Sequence, residues 1–326
     1  MDMEPHAERI DKGDIGAGFK KGNVGALARA ISHIEENLQS THSLFTQLGV
    51  TGTEPSWRTG ITGPPGAGKS TIAAFLAKAW GKEDVRTAFI AVDPSSDRTG
   101  GALLGDRIRI DEAFEVDGVY VRSMASRGSL GGLAQAAGAA ADLCAAFGYG
   151  EVLLETVGVG QVEIDIASQA DVVVVVLHPR SGDSVQAMKA GLLETADILL
   201  VNKADVPGAE ATARDLEGAL NLAGNASVPP VLCCSALDGR GMDDVLSTLN
   251  SIRGHLEESG ELALRRGKRS LSRVQSLIGD GLRRRAWKDG NLASRARKLL
   301  EEGMPAEQVA GVILERALMK LSETAQ

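Results

Sequence analysis

From residue 57 onward, short apolar runs alternate with longer stretches in which apolar residues recur at helical spacing. The runs Arg58–Thr62, Ala88–Asp93, Val119–Ser123, Val152–Glu155, Val172–Leu177, Ile198–Asn202 and Val231–Ser235 predict strands. Helical patterns at Ser70–Trp80, Gly132–Phe147 and Ser184–Ala196 separate many of them. Repeated strand–helix–strand units of this kind predict an α/β fold, a mainly parallel sheet with helices on both faces. Such sheets bind ligands at the carboxyl ends of their strands, and the polar motifs of this chain follow those ends.

Two flanking regions read differently. Val24, Leu27, Ala28, Ile31, Ile34 and Leu38 recur at helical spacing, so residues 22 to 47 are expected to be helical and to pack beside the sheet. Leu271, Val274, Leu277, Ile278 and Leu282 form a second stripe in a C-terminal helical extension. The expected organisation is an N-terminal helical extension over 1–54, a nucleotide-binding domain over 55–253 and a helical arm over 254–326. The arm's stripe has no partner inside a compact nucleotide-binding domain, which points to an interface.

Composition adds constraints. Of 326 residues, 43% are hydrophobic and 24% charged, ordinary for a soluble globular protein. Aromatic content of 3% and a net charge of −8 argue against nucleic acid as a main partner. The charge is uneven: residues 254–326 carry 14 Lys/Arg against 10 Asp/Glu, a net of +4, and the remainder carries 21 against 33, a net of −12. Cys144, Cys233 and Cys234 form no C-x-x-C pair and are expected as buried thiols. The charged N-terminus lacks an apolar signal segment and no apolar run is long enough to span a bilayer, so a cytoplasmic protein without membrane contact is expected. His6, His33, His42, His178 and His255 are scattered without metal-ligand spacing.

The candidate chemistry begins with "GPPGAGKS", in which Gly63, Gly68, Lys69 and Ser70 occupy the fixed positions of G-x-x-x-x-G-K-[ST]. Past Pro65 in this loop, the residues Gly66, Ala67 and Gly68 can aim backbone N–H groups at phosphate oxygens, and the helix beginning near Ser70 and Thr71 adds its positive end. Lys69 can reach the β- and γ-phosphates, and Ser70 can ligate Mg²⁺. "VNKAD" follows a predicted strand and suits guanine. Asp205 can accept from the ring N–H and the exocyclic amine, Asn202 braces the loop and Lys203 lies over the base plane. "SAL", Ser235, Ala236 and Leu237, offers backbone N–H groups to the guanine oxygen. "EVLLETVGVGQ" ends a strand in Glu155, where a Mg²⁺–water shell is expected, and continues into a glycine hinge. "AVDPSSDRTGGALLGDRIRI" supplies Asp93 and Asp106 to the same shell and reads as a switch loop, with Arg98 and Arg107 as candidate transition-state cations.

Taken together, "GPPGAGKS", "AVDPSS..RTGG.LLGDR", "SRGSLGG", "ETVGVGQ.E", "GD..QAMKAGLLE.AD" and "NKAD" resemble the MeaB-type GTPases, the family of the methylmalonic aciduria type A protein, formerly named ArgK. The resemblance runs from about Gly22 into the C-terminal arm. It implies a GTP-hydrolysing metallochaperone that gates adenosylcobalamin loading and protects or reactivates an acyl-CoA mutase. That mutase would be methylmalonyl-CoA mutase or a related isobutyryl-, 2-hydroxyisobutyryl- or ethylmalonyl-CoA mutase. It further implies GTP/GDP and Mg²⁺ as cofactors, adenosylcobalamin as the mutase's own, and a homodimer held by the helical arm. Carried over by motif, Lys69, Asp93, Asp106 and Glu155 form the catalytic set, and Ser70 joins the three carboxylates at the metal. Gly158, Gly160, Gln161 and Glu163, with Arg180, Asp183, Gln186 and Lys189, match segments that relay nucleotide state to the mutase. Two departures, Val162-Glu163 after "GVGQ" and His178-Pro179-Arg180 before "SGD", lie in those relay segments. A nickel-delivery maturation GTPase is a rival that needs a Cys/His cluster. A small-molecule kinase predicts phosphate on an organic acceptor, and a scaffold with a degenerate site predicts loss of Lys69 or Ser70, both of which are present.

Overall fold

The computed structural model describes residues 12–52, 55–93, 118–125, 130–156, 167–179, 195–222, 228–288 and 290–324. It divides into two compact units, Met1–Arg265 and Arg266–Gln326. The first contains β1 (Trp57–Thr62), β2 (Thr87–Asp93), β3 (Val119–Ala125), β4 (Glu151–Thr156), β5 (Val172–Leu177), β6 (Ile198–Val201) and β7 (Val231–Cys233). They form one sheet in the order β3-β2-β4-β1-β5-β6-β7, and every pairing is parallel. Two strands are shorter than their apolar runs: β6 stops before Asn202 and β7 before Cys234, where the chain turns into loops although both residues still donate a backbone N–H to the adjacent strand.

The helices are α1 (Lys12–Lys20), α2 (Val24–Glu36), α3 (Thr41–Leu48), α4 (Lys69–Gly81), α5 (Leu130–Ala146), α6 (Ala209–Leu222), α7 (Met242–Glu258), α8 (Glu261–Lys288), α9 (Gly290–Glu301) and α10 (Ala306–Thr324). Alternate residues of each strand feed opposite cores. Ile61, Phe89, Leu153 and Val174 face α4 and α7, meeting Ile72, Leu76, Val245 and Leu249. Ile90, Val92, Val152 and Leu154 face α2 and α5, meeting Leu27, Ile31 and Leu143. On that same face Val175, Leu199 and Val201 are covered by Leu216 and Leu220 of α6.

α2 starts at Asn23, whose side chain accepts the Ala26 N–H, and buries Leu27, Ile31 and Ile34. Val24 is 46% exposed, since it directly follows the cap and precedes the first buried turn. α1 was not legible from periodicity, yet Ile15 and Phe19 are buried in the same core. In the second unit, α9 and α10 pack Leu292 and Ala296 against Val309, Ile313 and Ala317. Along α8, Leu271, Val274 and Ile278 are 60%, 51% and 58% exposed. No helix among the described residues is long and apolar enough to cross a membrane.

The amino ends of the strands carry ion pairs, those of Arg253 and Arg58 buried and that of Arg265 half-buried. Arg253 of α7 donates to both oxygens of Glu151 at 2.6 and 2.7 Å and to the Thr59 hydroxyl at 2.9 Å. Its guanidinium lies 4.9 Å from the Trp57 ring and 5.1 Å from the Trp80 ring. Arg58 pairs with Asp142. Arg265 donates to Asp197 Oδ1 at 2.8 Å and to the Asp171 carbonyl at 3.0 Å.

Candidate functional site

At the carboxyl end of β1 the chain turns through Gly63 with φ of 131°, and a Cβ there would sit 2.0 Å from the Val176 carbonyl oxygen. Only glycine lets the loop cross β5 that closely. Gly68 has φ of 92°, and a Cβ there would meet Asn202 Nδ2 at 2.3 Å. Between them Pro65 and Gly66 are exposed and Ala67 is buried. α4 then begins at Lys69, so its N-terminus and positive dipole point at the loop.

Lys69 is 6% exposed. Its Nζ donates to the carbonyls of Gly63 at 2.6 Å and Pro64 at 3.1 Å, which holds the ammonium across the base of the loop. Ser70 Oγ donates to Glu155 Oε1 at 2.8 Å. Glu155 is 3% exposed and lies next to last in β4, so the β1–β4 register brings a carboxylate to the first turn of α4. Behind it, Thr156 Oγ1 donates to Thr62 Oγ1 at 3.0 Å and ties the two strand ends together. Thr71, next in α4, is exposed.

The N-K-x-D segment reaches the same place. Asn202 is 3% exposed. Its Nδ2 donates to the Ala67 carbonyl at 2.7 Å, and its Oδ1 accepts the Ala236 N–H at 3.1 Å and the Cys234 thiol at 3.6 Å. One side chain thus links the glycine-rich loop to "SAL". Lys203 adopts φ of 63°, which turns the chain so that Asp205 emerges exposed. Ser235 is buried, Ala236 half-buried and Leu237 86% exposed. In the turn that follows, the Ser235 hydroxyl first, and then the Arg240 backbone N–H, hold the Asp238 carboxyl below the usual carboxylate range. Burial pushes the Cys234 thiol up to about 12.

The sheet therefore brings Gly63, Pro65, Gly66, Ala67, Gly68, Lys69, Ser70, Glu155, Asn202 and Ala236 to one end. Asp93 is placed by its backbone at the end of β2. Asp106, Gly158, Gly160, Gln161, Glu163, Arg180, Asp183, Gln186 and Lys189, together with Arg98 and Arg107, lie outside the described residues. Sequence reading missed the Thr62–Thr156 bond and the Cys234 contact. The only available signal for the second was the position of Cys234 directly before "SAL". Inward-turned glycines, a helix N-terminus and a buried lysine suit a polyphosphate. The adjacent hydroxyl–carboxylate pair is an all-oxygen donor set, which fits a hard dication.

A parallel sheet with this loop between β1 and α4, and an N-K-x-D turn braced onto it, defines a P-loop GTPase. The family model described as "Methylmalonyl Co-A mutase-associated GTPase MeaB" matches residues 27–291. The chain belongs to that family. A chain of Pyrococcus abyssi that bears a GTPase name is 40% identical over 309 residues, covering 92% of this chain and 95% of that one. The GTPase ArgK of Escherichia coli is 36% identical over 263 residues, 78% of this chain and 79% of that one. The mitochondrial methylmalonic aciduria type A homolog of Mus musculus is 34% identical over 272 residues, 76% of this chain and 65% of that one. The crystal structure of a LAO/AO transport system kinase superposes with a TM-score of 0.67 at 25% identity, covering 100% of both chains.

Proposed function

We propose that this GTPase is a chaperone of an adenosylcobalamin-dependent acyl-CoA mutase, hydrolysing GTP to gate cofactor loading and to protect or reactivate the mutase. The family description, a mutase-associated GTPase, supports the partner. The observation that carries the nucleotide reading is Asn202, which joins the phosphate loop at Ala67 to the base-reading segment at Ala236. In this reading Lys69 releases the Gly63 and Pro64 carbonyls and turns its ammonium onto the β- and γ-phosphates. Ser70 and Glu155, with Asp93 and Asp106, hold Mg²⁺ and its waters, and the all-oxygen donors favour Mg²⁺ over nickel. Bound Mg²⁺ neutralises the charge on the phosphate oxygens. Asp205 reads guanine.

The relay to the mutase is assigned to Gly158–Glu163 and to Arg180, Asp183, Gln186 and Lys189. The arm, residues 254–326, is assigned to homodimer formation through the α8 stripe. Leu271→Glu with Ile278→Glu should give a monomer by light scattering, and a persisting dimer would place the interface elsewhere. The chaperone reading is tested by following adenosylcobalamin transfer to apo-mutase in the presence of GTP, GDP or a non-hydrolysable GTP analogue. Nucleotide-dependent loading is expected. Equal loading in all three states, or phosphate appearing on an organic acceptor, would overturn it.

A further inference from the structure

Cys234 belongs to no phosphate, metal or guanine motif, yet it touches the N-K-x-D turn at three points. Its backbone N–H donates to the Val201 carbonyl at 2.9 Å, and its carbonyl accepts the Ala204 N–H at 2.9 Å. Its thiol donates to Asn202 Oδ1 at 3.6 Å. The two backbone bonds straddle Asn202 and Lys203, and the side-chain bond lands between them. The segment held in this way contains Lys203, whose φ of 63° is unfavourable for a residue with a side chain and must be maintained by its surroundings.

We propose that Cys234 is a positioning residue for nucleotide binding: its S–H fixes the Asn202 amide so that Nδ2 reaches the phosphate loop and Oδ1 reaches Ala236. The inference rests on reading Asn202–Asp205 as the guanine-reading turn. An amide can rotate by half a turn and exchange its oxygen and nitrogen. With Oδ1 facing two donors, the Cys234 thiol and the Ala236 N–H, only one orientation satisfies Ala67 as well. Cys234 and Asn202 are 0% and 3% exposed, so water does not substitute for a lost contact. With its titration near pH 12, the thiol remains a donor throughout the neutral range. Close packing supports the placement, since a Cβ on Gly241 would lie 2.4 Å from the Cys233 carbonyl oxygen and 3.3 Å from Cys234 Cα. The first turn of α7 is thereby pressed against the Cys233–Cys234 backbone.

The experiment is a double-mutant cycle on the full chain, read by the affinity for a fluorescent GDP analogue, with melting temperature recorded for each variant. Cys234→Val keeps apolar volume and removes the donor, Cys234→Ala removes the donor without adding a branch, and Cys234→Ser keeps a donor. The Val and Ala variants should each weaken the analogue about threefold to fivefold, the range of one modest buried hydrogen bond. Ser should stay within about twofold of wild type, and neither Val nor Ala should weaken binding further once Asn202→Ala is present. A loss as large for Ser as for Val, or a full loss retained in the Asn202→Ala background, would make Cys234 mere packing and overturn the proposal. Undiminished binding by Asn202→Ala alone would overturn the guanine-turn reading and this inference with it. Normal binding by Cys234→Val beside weak binding by Asn202→Ala would reject this inference only.

Discussion

The amino and carboxyl ends of this one sheet bury polar groups in opposite ways. At the amino ends the groups are charged and answer one another: Arg253 with Glu151, Arg58 with Asp142, Arg265 with Asp197. Each cation is paired with a carboxylate, and Arg253 also lies against two indole rings. At the carboxyl ends the described buried groups are the loop's glycine backbone, hydroxyls, the Asn202 amide, the Glu155 carboxylate and the Lys69 ammonium. There the lysine rests on two neutral carbonyls, which are weaker partners for an ammonium than a carboxylate or a phosphate. The lesson is that one end is closed upon itself and serves stability, whereas the other keeps its cation on partners that a triphosphate can outcompete.

Removing Arg253 is the strongest way to break the comparison. Arg253→Ala strands a buried Glu151 carboxylate and should cost about 3–5 kcal/mol in urea unfolding. Arg253→Met with Glu151→Leu should recover much of that loss, because an apolar pair leaves no buried charge. Nucleotide affinity of the folded protein should be unchanged in both, and a large loss of affinity would mean that the two ends are not separate in function.

At the carboxyl end the effects invert. Lys69→Ala should lower GTP turnover by about 100-fold to 1000-fold, comparable to deleting a transition-state donor. Stability should fall by only about 1 kcal/mol, since the Lys69 bonds to the Gly63 and Pro64 carbonyls are to neutral acceptors. A stability loss matching that of Arg253→Ala would contradict the distinction.

Asp205→Asn sharpens the site without touching the core. The exposed carboxylate is replaced by an amide that is part donor, so GDP affinity should fall roughly tenfold to 100-fold, the value of one charged hydrogen bond. Xanthine nucleotides should gain what guanine loses. Competition between fluorescent GDP and unlabelled nucleotides measures both, and equal binding of ATP and GTP by the unaltered protein would remove Asp205 from base reading.

How much of this was legible in the sequence depended on the range of the deciding interaction. Val172–Leu177 reads as a buried strand from its composition alone, and β5 has the same bounds. Gly63, Gly68, Lys69 and Ser70 are local in sequence and were readable as a loop. α1 falls within the 1–54 stretch expected to be helical but was not readable as an element from periodicity, because Gly13, Gly16 and Gly18 oppose a helix of nine residues. Its existence is decided by burial, with Phe19 meeting the Phe147 ring at 5.1 Å, far along the chain. The brace from Asn202 to Ala67 spans 135 residues, so its role was nameable from the motif but its partner was not. Cys234 carried no motif, and only the fold discloses that its thiol faces Asn202.

Under the proposed function, GTP turnover at the carboxyl-end site answers to a mutase. The most direct test is the rate of phosphate release from GTP by the full-length protein, alone and with a saturating adenosylcobalamin-dependent acyl-CoA mutase from the same cell. The account predicts slow release alone and an acceleration of roughly tenfold or more with the mutase, in keeping with partner-stimulated hydrolysis in this enzyme class. Identical rates with and without the mutase, in a mixture where the two proteins co-elute as a complex, would contradict it.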